Sequence, residues 1–271
     1  MPLDGTVVPY CGLPPQPETL AERWNFDPVL LATLLTVALA YGFGHARLRA
    51  RPGAGREAVL FGAGWLVLAA ALVSPLCALT VSLFSARVGQ HMLVAMVAAP
   101  LLALGRPGPR LEALLPAIPG AMVMRRVGGQ AASAILFGAA LWLWHTPAAY
   151  SLTFRSDAAY WVMHVTLAGS AILLWHALAV RGPAEPLAAF ASGFATTLHM
   201  SLLGALLTFA SRPLFAPHAA TATPWGLTAL EDQQLGGLIM WIPGGTVLIV
   251  ASLVLIGLFI RAGGRPTPAP A

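Results

Sequence analysis

The sequence predicts an all-α protein, a polytopic membrane helix bundle of about seven transmembrane helices with its N-terminus outside and its C-terminus cytoplasmic. Three observations carry that prediction. Of the 271 residues, 58% are hydrophobic and only 9% charged, whereas soluble domains carry about 25% charged residues. Seven apolar segments have the length needed to cross a bilayer as helix, about 17–25 residues. The charged residues are unevenly divided between the two sets of connecting loops. Lipid offers no partner to open backbone groups, so the segments are helices, and they lack the alternation of a membrane β-barrel.

In chain order the segments run roughly over 28–46, 57–76, 82–104, 130–147, 158–180, 186–210 and 234–261. Asp27-Pro28 opens the first with a capping carboxylate and a proline suited to the first helical turn. Glu185-Pro186 is expected to open the sixth in the same way. Thr223-Pro224-Trp225 predicts a short interfacial helix before the seventh, with Trp225 at headgroup depth. Pro243 lies inside the seventh segment and predicts a kink. Abundant glycine and alanine allow close approach between helices. This gives an extracytoplasmic tail over 1–27, a seven-helix domain over 28–262 and a flexible tail over 263–271, with no second domain and no internal repeat.

All fifteen basic residues are arginine. With the N-terminus outside, the inner segments hold Arg47, Arg49, Arg51, Arg56, Arg106, Arg110, Arg125, Arg126, Arg181, Arg261 and Arg265, against three acids, Glu57, Glu112 and Glu185. The outer segments hold four arginines against seven acids. Positively charged loops stay inside, which fixes the orientation. The net charge of +5 is therefore a topology signal and not a nucleic-acid footprint. The N-terminus has neither a basic nor an apolar region of a cleavable signal peptide. Two cysteines, Cys11 and Cys77, are too few for a disulfide framework. They are expected as free thiols, with outer-face ligation or a disulfide as the alternatives.

The seven histidines are the most informative polar residues. His91, His164 and His199 fall inside the third, fifth and sixth segments, in the outer half or near the midplane. His145 ends the fourth segment in the stretch LWLWHTPAAY, residues 141–150. His218 lies in the last outer loop, and His45 and His176 belong to the inner side. Met92, Met163 and Met200 adjoin three of these histidines, and Met96 shares a helix face with Met92. Imidazole and thioether together suit copper, with thioether favouring Cu(I). The candidate metal ligands are therefore His91, His145, His164 and His199, with Met92, Met96, Met200 and Asp232 as weaker candidates. Asp232 and Gln233-Gln234 could instead cap the seventh helix or hydrogen-bond to ligands. Each histidine also has a plain alternative, a hydrogen bond to a serine or carbonyl on the next helix. Adjacent residues on a helix point about 100° apart, so a His-Met pair need not share a site. Trp142, Trp144 and Tyr150 read as an interfacial belt.

Several stretches resemble the CtaG-type cytochrome c oxidase assembly factors of bacteria. They are WNFDP (24–28), SPL (74–76), LFS (83–85), His91-Met92, AAPLLALGRP (98–107), WLWHTPAAY (142–150), His164 with Trp175, and DQQLGGLIMW (232–241). The resemblance spans nearly the whole chain. It implies a multi-pass protein of the bacterial inner membrane that helps mature a heme-copper oxidase by handling copper. Its implied partners are the bilayer, heme-copper oxidase subunits and extracytoplasmic copper chaperones. It maps the family's histidines onto His91, His145 and His164. Where relatives carry a histidine shortly after the FS, this chain has Ala86-Arg87, so the site is either reduced or completed by His199.

Neither a nucleophile triad nor a glycine-rich phosphate loop, HExxH or CxxC is present, which argues against an enzyme. Three rival functions stay open at this stage. One is a transmembrane heme protein, with His45 and His176 or His91 and His164 as axial pairs. Another is a transporter or proton relay, with Pro243-Gly244-Gly245 as a broken helix. The third is a scaffold that grips an oxidase subunit without a metal of its own.

Overall fold

A computed structural model describes residues 8–114 and 128–263. The predicted flexible tail, Arg125, Arg126 and Arg265 fall essentially outside them. The described residues form helices without strands. The long spans are α1 (Pro28–Leu48), α2 (Ala54–Val73), α4 (Phe84–Leu104), α8 (Asp157–Ala184), α9 (Pro186–Thr208) and α10 (Ala229–Gly257, continuing to Gly263). Short helices α3 (Leu76–Ser82), α5 (Pro107–Leu114), α6 (Gln130–Trp144) and α7 (Pro147–Leu152) link them. Among the described residues six helices are thus long and apolar enough to cross a bilayer. The fourth expected segment is an apolar helix of 15 residues, about 22 Å at the helical rise. It stops short because Thr146 takes extended backbone ahead of Pro147, which starts α7.

α4 lies at the centre, with 61% of its apolar window buried against 22% for α1 and α2. Phe84, Val88, Met92, Met96, Ala99 and Ala103 carry its buried face into the main core, where Phe137, Leu141, Leu174, Trp175, Met200 and Met240 meet it. Three π turns interrupt the spans, at Leu93–Ala98, His176–Arg181 and Met240–Gly244. Such turns often mark functional sites. Within the first, the Ala95 carbonyl accepts the Trp175 indole N–H at 2.7 Å, tying α4 to α8. The third lets α10 continue through Pro243, whose missing N–H would otherwise break the ladder. α9 and α10 meet at Gly204 and Gly237, where a Cβ on either would lie within 2.9 Å of the other's carbonyl oxygen. Only small residues allow that approach.

The two ends of the bundle are locked differently. At one end Arg110, 1% exposed, donates to Glu57 at 2.7 Å and to the Gly105 and Arg106 carbonyls. Tyr41 stacks under its guanidinium at 5.0 Å. This joins α1, α2 and α5. At the other end the N-terminal segment lies over the helix ends. The Asn25 N–H donates to the Val73 carbonyl, and the Ser82 hydroxyl donates to the Pro15 carbonyl. Cys11 and Cys77 form a disulfide, not the expected free thiols. The bridge pins residue 11 to the α2–α3 junction, which sequence spacing alone could not reveal.

Asp27 caps α1 as expected, accepting from the Leu30 N–H at 2.7 Å. Glu185 does not cap α9 with its side chain. It pairs instead with Arg181 at 3.2 Å. Residues 223–225 form a single 3-10 turn. The aromatic belt holds only for Trp142, 37% exposed. Trp144 is buried and donates to the Thr166 hydroxyl at 2.9 Å, and Tyr150 is a core residue.

Candidate functional site

His91, His145 and His164 line one cavity with Val88, Met92 and Leu141. Its free volume is about 20 Å³, room for one atom-sized guest such as a water or an ion. Each histidine arrives from a different element. His91 stands two turns into α4, and His164 two turns into α8. His145 is the C-cap of α6, fixed there by the proline two residues on.

Backbone carbonyls set the ring tautomers. The His145 Nδ1–H donates to the Leu141 carbonyl at 2.8 Å, and the His164 Nδ1–H to the Tyr160 carbonyl at 3.1 Å. A neutral imidazole bonded this way keeps its lone pair on Nε2. The His164 Nε2 faces the Gln90 Oε1 at 3.4 Å. Gln90 spends its amide N–H on the Ala71 carbonyl at 2.6 Å, so two lone pairs point at each other. The His91 Nε2 is buried and has no partner among the described residues. Buried nitrogens without partners are costly, and the chemistry of this set fits a cation.

The His91 and His164 rings have centroids 5.3 Å apart at 72°. Imidazole nitrogens bind a first-row metal at about 2.0–2.1 Å, which puts two rings sharing one ion roughly 5–6.5 Å apart. No three His, Cys, Asp or Glu side chains among the described residues already close around one point. The arrangement is an edge-to-face pair, His91 and His164, with a third imidazole lining the same cavity.

The other candidates divide. Met92 lines the cavity. Met200 packs beside Met92 at Gly244, where a Cβ would lie 3.0 Å from the Met92 sulfur and 2.9 Å from the Met200 methyl. Met96 lies in the core one turn further along α4 and does not line the cavity. His199 is also absent from the lining. Its ring sits against Gly138 of α6, and both its nitrogens are buried without partners among the described residues. Asp232 is far from a ligand role: it accepts from the Phe84 and Ser85 N–H groups and from the Ser85 hydroxyl. It caps α4, not its own helix, whose cap is the Thr228–Glu231 capping box.

Gln90, Arg87 and Tyr160 escaped sequence reasoning, and Tyr150 and His218 take partners that it did not foresee. Gln90 and Arg87 are polar residues inside an apolar span, a signal that was present in the string SARVGQHM. Tyr150 donates its hydroxyl proton to the His218 Nε2 at 2.6 Å, and the His218 Nδ1–H donates to the Ser82 carbonyl at 3.2 Å. Burial lowers the His218 pKa to about 3, so it is held neutral. The Tyr160 hydroxyl lies 3.3 Å from the Cys11 sulfur, and its ring is 4.2 Å from that of His164. Tyr160 therefore separates the disulfide from the cavity by one aromatic ring.

Neither the curated proteins nor the solved structures contain a match to this chain. The sequence model described as cytochrome c oxidase caa3 assembly factor matches residues 39–262, a stretch that holds every residue lining the cavity. On that match the chain belongs to the cytochrome c oxidase caa3 assembly factor family.

Proposed function

We propose that this assembly factor handles copper for a heme-copper oxidase, using the cavity of His91, His145 and His164 as the holding site. The observation that carries the reading is the set of Nε2 atoms. Two are freed by Nδ1–H bonds to backbone carbonyls, and the third is buried with no partner. In His145 and His164 that is the tautomer metal-bound histidines use, held by the outer hydrogen bond that orients the ring. His91 and His164 are the primary ligands, His145 the third imidazole, and Met92 supplies a soft thioether that favours Cu(I). Few and neutral ligands suit a carrier, which must release its cargo. The role is to hold and pass an ion, not to convert a substrate.

The disulfide supports an orientation with that end of the bundle outside the cytoplasm, since disulfides persist in oxidising compartments. Arginine placement gives the same direction independently. In that orientation the cavity belongs to the extracytoplasmic half of the bundle, the side on which copper chaperones and the oxidase's copper-binding subunits would be within reach. A heme between His91 and His164 is disfavoured by size, because about 20 Å³ has no room for a porphyrin.

Elemental analysis of the purified protein tests the proposal. Wild type should retain copper, and the variant His91→Ala with His145→Ala and His164→Ala should not. Equal copper in both would overturn it.

A further inference from the structure

Arg87 is 3% exposed. Among the described residues its guanidinium makes no ion pair: the pairs present use Glu57 and Glu185. Asp232, on the same end of α4, spends its oxygens on Phe84 and Ser85. Arg87 instead donates to the Thr153 hydroxyl at 2.8 Å and sits over the rings of Phe154 and Tyr150 at 4.5 and 4.9 Å. Its Nε has no partner among the described residues. Aromatic faces attract a cation, yet an unpaired buried charge is expensive and marks function in a membrane protein. A space-filling role alone would be met by methionine or leucine.

The charge lies against the cavity wall. Arg87 precedes His91 by one helical turn. Its guanidinium is 3.8 Å from the sulfur of Met163, the residue before His164, and 5.9 Å from the Tyr160 ring, which in turn contacts His164. Imidazole and thioether ligands bring no negative charge to offset it, so this guanidinium is a fixed positive charge beside the cavity wall. It repels a divalent ion twice as strongly as a monovalent one.

We propose that Arg87 is a specificity-determining residue that restricts the histidine cavity to monovalent copper and rejects Zn(II) and Cu(II). The inference rests on the copper-holding reading of the same cavity. For charges on the order of 6–10 Å apart at an effective dielectric constant of about 20, each extra unit of charge on the ion weakens binding by roughly tenfold to a hundredfold, about thirty-fold in the middle of that range. Geometry could not make this choice alone, because imidazole ligands accept zinc and copper alike.

The test measures Cu(I) and Zn(II) affinities of the full-length protein in detergent by competition with chromophoric chelators. Arg87→Met removes the charge and should lower the Cu(I)-to-Zn(II) affinity ratio roughly thirty-fold. Arg87→Lys keeps the charge and should keep the ratio. Thr153→Glu leaves Arg87 in place but neutralises it, and should lower the ratio as Arg87→Met does, which preserves the test if Arg87→Met does not fold. An unchanged ratio in the neutralised variants overturns the filter while leaving the copper site standing. Wild type that binds neither ion, or whose binding survives loss of the three histidines, overturns both.

Discussion

The carboxylate of Asp232, at the start of the last span, accepts from the Phe84 N–H at 2.6 Å and from the Ser85 N–H at 3.0 Å. One buried side chain on α10 thus satisfies the first free N–H groups of α4, the helix that carries Arg87, Gln90 and His91. An anion at a helix N-terminus is favoured by the partial positive charge there. A helix start buried without a cap would leave those donors unpaired.

Asp232→Ala should therefore destabilise the protein by about 2–3 kcal/mol, the sum of a lost cap and exposed buried donors. Thermal unfolding in detergent would read the loss as a lower midpoint. Asp232→Asn keeps one acceptor and should cost less. If Asp232→Ala melts like wild type, the link between the two spans carries no stability.

The same residue shows what the sequence can and cannot reveal. Asp232 beside two glutamines was a clear polar signal, and capping was among its expected roles. Which helix it caps depends on two segments about 150 residues apart meeting at one end, and no local pattern encodes that. Membrane character was legible, because twenty-residue apolar runs have one stable outcome in lipid. Depth was read from the rise per residue, and His91, His145 and His164, which that reading set on the same side, line one cavity. Rotation about the helix axis was not legible. His199 matched the others in depth but faces Gly138 instead of the cavity. Trp144 and Tyr150 matched the belt in composition but turn inward. In an all-round apolar helix the hydrophobic pattern does not say which side meets protein and which meets lipid.

The Cys11–Cys77 bridge closes a sequence separation of 66 residues. A loop of that length corresponds to about 4 kcal/mol of chain entropy removed from the unfolded state. Reduction by dithiothreitol should lower the melting midpoint of wild type. The Cys11→Ser, Cys77→Ser variant should start near the reduced value and ignore the reductant. A wild-type midpoint indifferent to reductant would show that the N-terminal segment is held by its other contacts, such as the Tyr10–Tyr160 stack at 4.6 Å.

His218 predicts a pH dependence of stability. Its pKa falls from 6.5 to about 3 on burial, with the Arg87 charge adding to the shift. Between those values the unfolded chain binds a proton that the folded chain refuses, so stability falls as the pH drops. The contribution is complete above the unfolded pKa and is lost progressively below it, down to about pH 3. Melting midpoints measured from pH 8 to 4 should decline. His218→Gln removes the titrating ring and should flatten its share of the slope, at the cost of the hydrogen bonds to Tyr150 and Ser82. A slope unchanged in His218→Gln would assign the pH sensitivity to other groups.

His164 is a buried imidazole and His199 a half-buried one; the His199 nitrogens have no partner among the described residues and the His164 Nε2 has a poor one, and single substitutions separate their roles. His164 lines the cavity and meets the His91 ring edge-on at 5.3 Å, so His164→Ala should weaken copper binding on the order of a hundredfold, at least the effect of losing a ligand-orienting contact. His199 fills space against Gly138, with no cavity surface of its own. His199→Ala should leave copper affinity within about threefold of wild type while lowering the melting midpoint, because it opens a small void between α6 and α9. His199→Leu should recover part of that midpoint, since it fills the void and removes two nitrogens that have no partners. Chelator competition and thermal unfolding on the same preparations give both numbers. If His199→Ala lowers copper affinity as far as His164→Ala does, the ion lies deeper than the cavity drawn by His91, His145 and His164, and α6 must shift to let His199 reach it.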